Sequence, residues 1–201
     1  MEGSSRRAPL IVGIGGTTKP DSSTEQALLI ALDAASRRGA NTRLFGGEML
    51  ARLPHSLTET AVASNEGREL VAGIREADGI IFASPGYHGS VSGLVKNAID
   101  YIEETAHDSR VYLDGIPVGL IATAYGWQAA GNALAALRAI AHALRGWPTP
   151  LGAAINCSGG IFRDGTCSEA GAATQLQCIG QQVCDFARLR LNEGGVLSNV
   201  G

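Results

Sequence analysis

The 201-residue chain is long enough to bury the core of one ordinary domain without disulfides or a metal ion. Its net charge of −3 argues against a broad nucleic-acid surface, because such surfaces use many lysines and arginines to neutralise phosphates. No stretch is apolar enough for a secretory signal or a membrane span, so we expect a cytoplasmic protein without a membrane partner.

The composition along the chain predicts one domain with two loose ends. Residues 1–8 are polar and predict a disordered N-terminal segment, and residues 191–201 contain several Gly, Ser and Asn residues and predict a flexible tail. Residues 9–190 are expected to form a single domain. Four cysteines match no zinc-binding spacing, so we expect reduced thiols and no metal: Cys157, Cys167, Cys178 and Cys184.

Apolar runs and amphipathic segments alternate along the domain. The runs predict five strands, Leu10–Ile14, Thr42–Phe45, Ile80–Ala83, Val118–Ala122 and Gly152–Ile155. The other segments predict five helices, Ser23–Arg38, Glu66–Glu76, Gly93–Glu104, Asn132–Leu144 and Glu169–Leu189. This alternation is typical of an α/β fold in which helices cover both faces of a parallel sheet. Ligands of such sheets bind beyond the carboxyl ends of the strands, here beside the first and third strands.

The loop after the first strand, Gly15–Glu25, is rich in glycines and hydroxyl groups. Ser22 and Glu25 fit a capping box at the start of the following helix. Free N–H groups, hydroxyls and Lys19 at a helix N-terminus form a favourable site for a phosphate group. Simple helix capping is the alternative, but the hydroxyls exceed what one cap needs. We therefore interpret the loop as a phosphate site.

The loop after the third strand is suited to a flat ligand. Pro85 is expected to end the strand, because proline has no backbone donor. Gly86 and Gly89 leave the backbone uncovered by side chains, and either Ser90 or Ser92 can cap the next helix. Such a loop lets a planar ring lie on bare backbone.

Three common motifs do not occur in the sequence. The first loop lacks the third glycine of G-x-G-x-x-G, where Thr18 stands, and no acidic residue follows the second strand at the expected distance. No Gly-Lys-Ser/Thr of a P-loop and no G-x-S-x-G of a hydrolase is present. A tightly bound NAD, nucleotide hydrolysis and a Ser/His hydrolase are therefore not expected.

A longer motif starts at Pro85. Its members are Pro85, Tyr87, Gly89, Ser90, Gly93, Lys96, Asn97, Ala98, Ile99 and Asp100. This pattern resembles the P-x-Y-x-G-S-x-x-G-x-x-K-N-A-I-D of the NADPH-dependent FMN reductases, and Gly16–Ser22 is similar to their G-S-x-R-x-x-S. The resemblance spans residues 10–189. It implies a flavodoxin-like, doubly wound five-stranded parallel sheet of order 2-1-3-4-5 in three layers, α/β/α.

The resemblance implies FMN as the cofactor. Its phosphate would contact the first loop at Thr17, Lys19, Ser22, Ser23 and Thr24. Its isoalloxazine ring would contact the second loop at Pro85, Gly86, Tyr87, His88, Gly89 and Ser90. A third, glycine-rich loop would close the site with Thr123, Tyr125, Gly126 and Trp127. Tyr125 or Trp127 could stack on the flavin, although an interface or core position fits Trp127 equally well.

The implied activity is that of an NAD(P)H-dependent FMN reductase. A hydride would pass from NADPH or NADH to flavin N5 without a catalytic side chain, and reduced flavin would go to a partner monooxygenase or a small flavin or quinone-like acceptor. Three alternatives remain: an FMN-bound quinone or azo reductase, a flavodoxin-like electron carrier, and a flavin-dependent tailoring protein. A homodimer or homotetramer is expected. Gly86 replaces an acidic residue, His88 a frequent Asn, and Val91-Ser92 an aromatic-proline pair, so the substrate does not follow from the resemblance. Lys19 replaces an Arg, which exchanges a bidentate fork for a point charge at the phosphate.

Overall fold

The computed structural model describes residues 7–56, 58–61 and 63–192. The strands are β1 (Leu10–Gly15), β2 (Asn41–Phe45), β3 (Gly79–Tyr87), β4 (Ser90–Val91), β5 (Pro117–Ala124), β6 (Trp147–Asn156), β7 (Phe162–Arg163) and β8 (Thr166–Cys167). The helices are α1 (Ser23–Arg37), α2 (Gly47–Leu50), α3 (Asn65–Glu76), α4 (Gly93–Asp100), α5 (Trp127–Ala143) and α6 (Ala170–Asn192), with a 3₁₀ helix at Tyr101–Thr105. The predicted loose ends, 1–8 and 191–201, lie mostly outside the described residues.

Five strands form a parallel sheet in the order β2-β1-β3-β5-β6. The two-residue strand β4 pairs with the end of β3 in antiparallel orientation, and β7 and β8 form a separate hairpin. Without the short β4, the sheet has the predicted order 2-1-3-4-5, and the predicted α/β fold is confirmed. The short strands were missed because two residues are too few to show a hydrophobic period.

The core lies in two layers, one on each face of the sheet. Successive side chains of a strand point to opposite faces, so Ile11 belongs to the core layer that contains α1 and α6, whereas Val12 and Ile14 belong to the layer that contains α3, α4 and α5. All three side chains are fully buried. The helices therefore cover both faces, and the carboxyl ends of the strands are left as the place for polar loops.

Two strands include prolines and are longer than predicted. β3 does not end at Pro85 but continues to Tyr87. β1 pairs with β3 only as far as Ala83. Pro85 lies beyond this point, so the N–H that it lacks is not needed for a hydrogen bond to β1. β6 begins earlier than predicted and includes Pro148 and Pro150, which an edge strand tolerates.

The start of α5 was also predicted wrongly. The helix begins at Trp127 rather than Asn132, and Gly131 lies inside it. Because Gly131 is exposed, the helix tolerates it at a cost of about 1 kcal/mol relative to alanine. Among the described residues, no helix is both long and apolar enough to cross a membrane.

Candidate cofactor site

The loops that the sequence singles out meet at one edge of the sheet. Gly15 at the end of β1 lies opposite Ala83 of β3, and Pro85 of β3 lies opposite Thr123 of β5. Since these strands are parallel, the loops that follow them leave from the same edge. β1 and β3 also lie where the strand order reverses, which is where doubly wound sheets bind their ligands.

The first loop (residues 16–22) leads into α1. The Ser22 hydroxyl caps the helix by accepting a hydrogen bond from the Glu25 N–H at 3.3 Å, and the Ser22 carbonyl accepts one from the Gln26 N–H at 2.9 Å. The N–H groups of Ser23 and Thr24 precede the first helical hydrogen bond, so they can face an anion at the positive end of the helix dipole.

Two other residues of the first loop differ in their surroundings. The Thr17 hydroxyl accepts a hydrogen bond from the Lys19 N–H at 3.1 Å, which stabilises the turn. The Lys19 side chain is exposed, and its ammonium group pairs with no carboxylate within the described part of the chain. Its positive charge is therefore available to a bound anion.

Ser23 faces a buried cysteine at the end of β6. The Cys157 thiol donates to the Ile155 carbonyl at 3.8 Å, and burial raises the pKa of this thiol, an effect that the nearby Ser23 hydroxyl partly offsets. The Cys157 N–H donates to the Ala124 carbonyl at 2.7 Å, which joins the end of β6 to the end of β5. The thiol is neutral at physiological pH, so it adds no negative charge beside the first loop.

The second loop (residues 85–92) is a tight hairpin. Tyr87 pairs with Ser90, so His88 and Gly89 alone form the turn, with φ angles of 49° and 90°. Two residues in the left-handed region define a type I′ turn. For His88 this conformation costs roughly 1 kcal/mol, a penalty that glycine avoids. All four residues are exposed.

Two buried serines attach the second loop to α4. The Ser92 hydroxyl caps α4 by accepting from the Val95 N–H at 3.2 Å. The Ser84 hydroxyl accepts from the Ser92 N–H at 3.0 Å and donates to the Pro85 carbonyl at 2.9 Å. Of the two predicted caps, Ser92 is confirmed, whereas Ser90 lies in β4.

The third loop (residues 123–126) joins β5 to α5. The hydroxyls of Thr123 and Thr24 lie 2.6 Å apart and are buried, so they bond to each other across two loops. Tyr125 and Trp127 are 81% and 69% exposed, the highest values among the large apolar side chains of the described residues. Trp127 is the first residue of α5, which places it on a helix rather than in a loop.

The three loops fit FMN. At Gly89, Gly93 and Gly126 no atom of the described residues lies within 4 Å of the position that a Cβ would occupy, so bare backbone faces open space there. A planar ring can lie against such a surface, and the half-exposed Tyr87 offers an aromatic face beside it. The prediction of bare backbone was wrong for Gly86, where a Cβ would lie 2.7 Å from the Ala129 carbonyl oxygen of α5. The start of α1 and Lys19 supply the donors and the charge that a phosphate needs.

The segment after β2 lies against the first loop. The sequence did not predict this contact. A Cβ on Gly47 would lie 1.8 Å from the Thr17 carbonyl oxygen, so only glycine permits this approach. The Glu25 carboxylate accepts the Gly47 N–H at 2.8 Å, and this bond takes the place of the reciprocal half of the predicted capping box. The adjacent glycines 46 and 47 were the available signal.

The β7–β8 hairpin is the second missed neighbour of the first loop. Its turn residues Asp164 and Gly165 have φ angles of 48° and 75°. The Gly165 N–H donates to the Gln26 side chain at 3.2 Å, and the same side chain donates to the Asp21 carbonyl at 2.7 Å. The dipeptide Asp-Gly is a strong turn signal and could have identified the hairpin.

The Lys96, Asn97 and Asp100 part of the motif has structural roles. The Asn97 side chain accepts from the Ser56 N–H at 2.9 Å and donates to the Pro54 carbonyl at 3.0 Å. Lys96 forms an ion pair with Asp100 at 2.6 Å. The two hydrogen bonds of Asn97 attach the segment after α2 to α4, whereas the Lys96–Asp100 pair lies within α4.

The sheet order, the two-sided helix packing and the position of these loops define a flavodoxin-like fold. Residues 9–158 match the family described as NADPH-dependent FMN reductase. The chain belongs to this family, and the resemblance inferred from the sequence motifs is confirmed.

Two curated relatives and one solved structure are similar to the chain. An FMN-dependent NADPH-azoreductase of Staphylococcus saprophyticus is 41% identical over 76 residues, which are 38% of this chain and 37% of the relative. An NADPH azoreductase of Bacillus sp. OY1-2 is 27% identical over 55% of this chain and 66% of the relative. The chain thus matches about a third of the first relative and just under two thirds of the second. The flavoenzyme NAD(P)H:(acceptor) oxidoreductase FerB of Paracoccus denitrificans superposes with a TM-score of 0.73 at 22% identity over 90% of this chain and 98% of its own.

Proposed function

We propose that this chain is an NAD(P)H-dependent FMN reductase. The observation that carries the proposal is the meeting of a helix N-terminus with two glycine-containing loops at the edge between β1, β3 and β5. Membership of the family supports FMN as the cofactor and NADPH or NADH as the electron donor. When bound, FMN accepts a hydride from the reduced nicotinamide and passes the electrons to an acceptor.

The residues of the chain bind and orient the reactants. The first loop holds the phosphate with Thr17, Lys19, Ser22, Ser23 and Thr24. The second loop supports the ring with Pro85, Gly86, Tyr87, His88, Gly89 and Ser90, and the third contributes Thr123, Tyr125, Gly126 and Trp127. The hydroxyls of Thr24 and Thr123 are buried and bond to each other, so we expect backbone groups of these residues to contact the cofactor. Orientation of the two reacting rings is the main contribution that the protein makes to the rate.

The reaction is tested by mixing FMN-loaded protein with NADPH, and separately with NADH, under anaerobic conditions. The visible absorbance of oxidised flavin should bleach rapidly with at least one donor, and the faster donor is the one that the protein prefers. Bound FMN that neither nucleotide reduces would contradict the proposal and favour a one-electron carrier or a tailoring protein.

A reductase that keeps FMN bound and reduces an azo or quinone-like compound is the second candidate. The curated relatives named azoreductases favour it, and the exposed Tyr125 and Trp127 could stack on an aromatic acceptor. Gel filtration separates the candidates. A partner monooxygenase can receive reduced FMN only if FMN leaves, whereas a bound cofactor stays with the protein and gives a yellow protein peak.

We further propose a homodimer or homotetramer in which a second copy covers part of this edge. The large exposed area of Tyr125 and Trp127 supports an additional partner surface. Sedimentation equilibrium at micromolar concentration should give a mass of at least two chains. A purely monomeric protein would contradict this part of the proposal. The cytoplasmic location stays a prediction of the sequence.

A further inference from the structure

Three consecutive residues in the first turn of α1 each bond to a different neighbouring loop. Thr24 bonds to Thr123 near the end of β5, where the third loop begins, Glu25 to Gly47 at the start of α2, and Gln26 to Gly165 in the β7–β8 hairpin. Successive residues of a helix point about 100° apart, so three neighbours in the sequence can reach three directions. The turn that offers N–H groups to a phosphate is therefore also the point where the surrounding loops are attached.

The Thr24–Thr123 bond is the shortest and most buried of the three. The oxygens lie 2.6 Å apart, and the residues are 2% and 3% exposed. A buried hydroxyl that loses its partner costs about 1–3 kcal/mol, so each threonine strongly favours the position of the other. Since Thr123 lies opposite Pro85 in the sheet, this bond fixes the first loop relative to both loops that face the ring.

Gln26 determines the conformation of the first loop from its other side. Its side-chain amide is buried, with the oxygen accepting from the Gly165 N–H at 3.2 Å and the nitrogen donating to the Asp21 carbonyl at 2.7 Å. Asp21 has a φ of 51°, in the left-handed region that non-glycine residues avoid. A bond to its carbonyl helps to keep the residue in this conformation, immediately before the Ser22 cap.

We infer that Thr24, Glu25 and Gln26 are positioning residues that hold the loops after β5, β2 and β6 around the phosphate of FMN. The inference rests on the proposed function, because it requires FMN to bind with its phosphate at α1. A role only in stability would leave the preference for a phosphorylated flavin unchanged. A positioning role predicts that this preference falls when the bonds are removed.

The test measures dissociation constants for FMN and for riboflavin, which has the ring but no phosphate. Gln26→Met and Thr24→Val remove the bonds at nearly constant volume. Each should weaken FMN binding about tenfold, equivalent to one lost hydrogen bond to a charged or buried group, and change riboflavin binding less than about twofold. Thr24→Ser keeps a hydroxyl and should restore most of the FMN affinity.

Two further variants serve as controls. Gln182→Met removes a bond of the same kind, from the Leu151 N–H to a helix glutamine at 3.2 Å, but midway along β6. It should affect stability and leave both affinities unchanged. Thr123→Val removes the threonine pair from its other end, so it should match Thr24→Val, and the double variant should lose no more FMN affinity than either single one.

The outcomes distinguish a failure of the inference about Thr24, Glu25 and Gln26 from a failure of the proposed function. If the wild type prefers FMN and folded Gln26→Met and Thr123→Val keep that preference, the inference is overturned and the proposed function stands. Equal losses for FMN and riboflavin would also overturn it, because they indicate a general loosening of the site. If the wild type does not prefer FMN, the proposed phosphate site falls, and the inference falls with it.

Discussion

The two ends of the parallel sheet are held together by different kinds of bond. At the end where the strands begin, ion pairs join elements far apart in the chain: Arg7–Asp78, Arg38–Asp185 and Arg75–Asp108. At the end where the strands finish, the corresponding bonds are Thr24–Thr123, Glu25–Gly47 and Gln26–Gly165. Each of these three bonds uses a hydroxyl or a backbone N–H, and none is an ion pair. One ion pair at this end, Arg52–Glu66 at 3.4 Å, joins the segment after α2 to α3.

This difference follows from what each end has to bind. An anionic ligand needs unpaired positive charge and open N–H groups, and an ion pair beside the first loop would use up a positive charge that could otherwise attract the phosphate. Lys19 has no carboxylate partner among the described residues, and the loops around it are held by hydrogen bonds, of which Glu25–Gly47 uses a carboxylate. At the opposite end exposed ion pairs can be used, each worth about 1 kcal/mol or less.

Gly47→Ala should have the largest effect on the binding end. Its Cβ would lie 1.8 Å from the Thr17 carbonyl oxygen, so the first loop or α2 has to move. We expect a loss of about 2–3 kcal/mol in the free energy of unfolding and at least a tenfold weaker affinity for FMN. Denaturant unfolding and a flavin titration measure the two effects. Gly131→Ala, with no atom within 4 Å of the new Cβ, is the control and should be at least as stable as the wild type.

Asp78→Ala should weaken the opposite end without changing binding. Asp78 accepts two hydrogen bonds from Arg7, at 2.6 and 2.7 Å, and one from the Leu10 N–H at 2.8 Å. We expect a loss of about 2 kcal/mol of stability and an unchanged ratio of FMN to riboflavin affinity. Asp33→Ala, which removes an exposed ion pair with Arg37, should cost less than about 0.5 kcal/mol. A change in the affinity ratio on Asp78→Ala would show that the two ends are coupled.

Gly126→Ala should weaken the binding of the flavin ring and leave the binding of the phosphate unchanged. The residue is extended, with a φ of −165°, and nothing lies within 4 Å of the new methyl group, so stability should stay within about 0.5 kcal/mol of the wild type. If a ring lies on this backbone, FMN and riboflavin should both bind about fivefold more weakly, a cost of about 1 kcal/mol. Unchanged affinity for both flavins would place the ring elsewhere.

The smallest effect concerns the pH dependence of the Arg75–Asp108 pair. The hydrogen bonds from Arg75 lower the pKa of Asp108 in the folded protein. The pair therefore stabilises the fold above the unfolded pKa of about 4, and this contribution is lost as the pH falls through the lower folded pKa. Urea unfolding between neutral and acid pH should show Asp108→Asn less stable at neutrality and equal to the wild type at low pH. A difference that does not depend on pH would contradict this assignment.

Hydrophobic periods and glycines are local signals, so they predicted the strands and the loops after β1 and β3. The strand order was implied by the resemblance to the family. The continuation of β3 beyond Pro85 was not predictable in this way, since it depends on where β1 stops. The bonds of Glu25 and Gln26 were equally hidden. Glu25 fits a capping box in the sequence, and only the structure shows that its carboxylate accepts a hydrogen bond from the Gly47 N–H instead. Side chains that connect loops across the site become recognisable once the topology is known.

We propose that FMN binds at the end of the sheet where the strands finish, with its phosphate at the start of α1. A calorimetric titration of the wild-type protein with FMN and then with riboflavin tests this most directly. FMN should bind at least about tenfold more tightly than riboflavin, because charge-assisted hydrogen bonds to the phosphate add to the contacts of the ring. Equal affinities for the two flavins, or no binding of FMN, would contradict it.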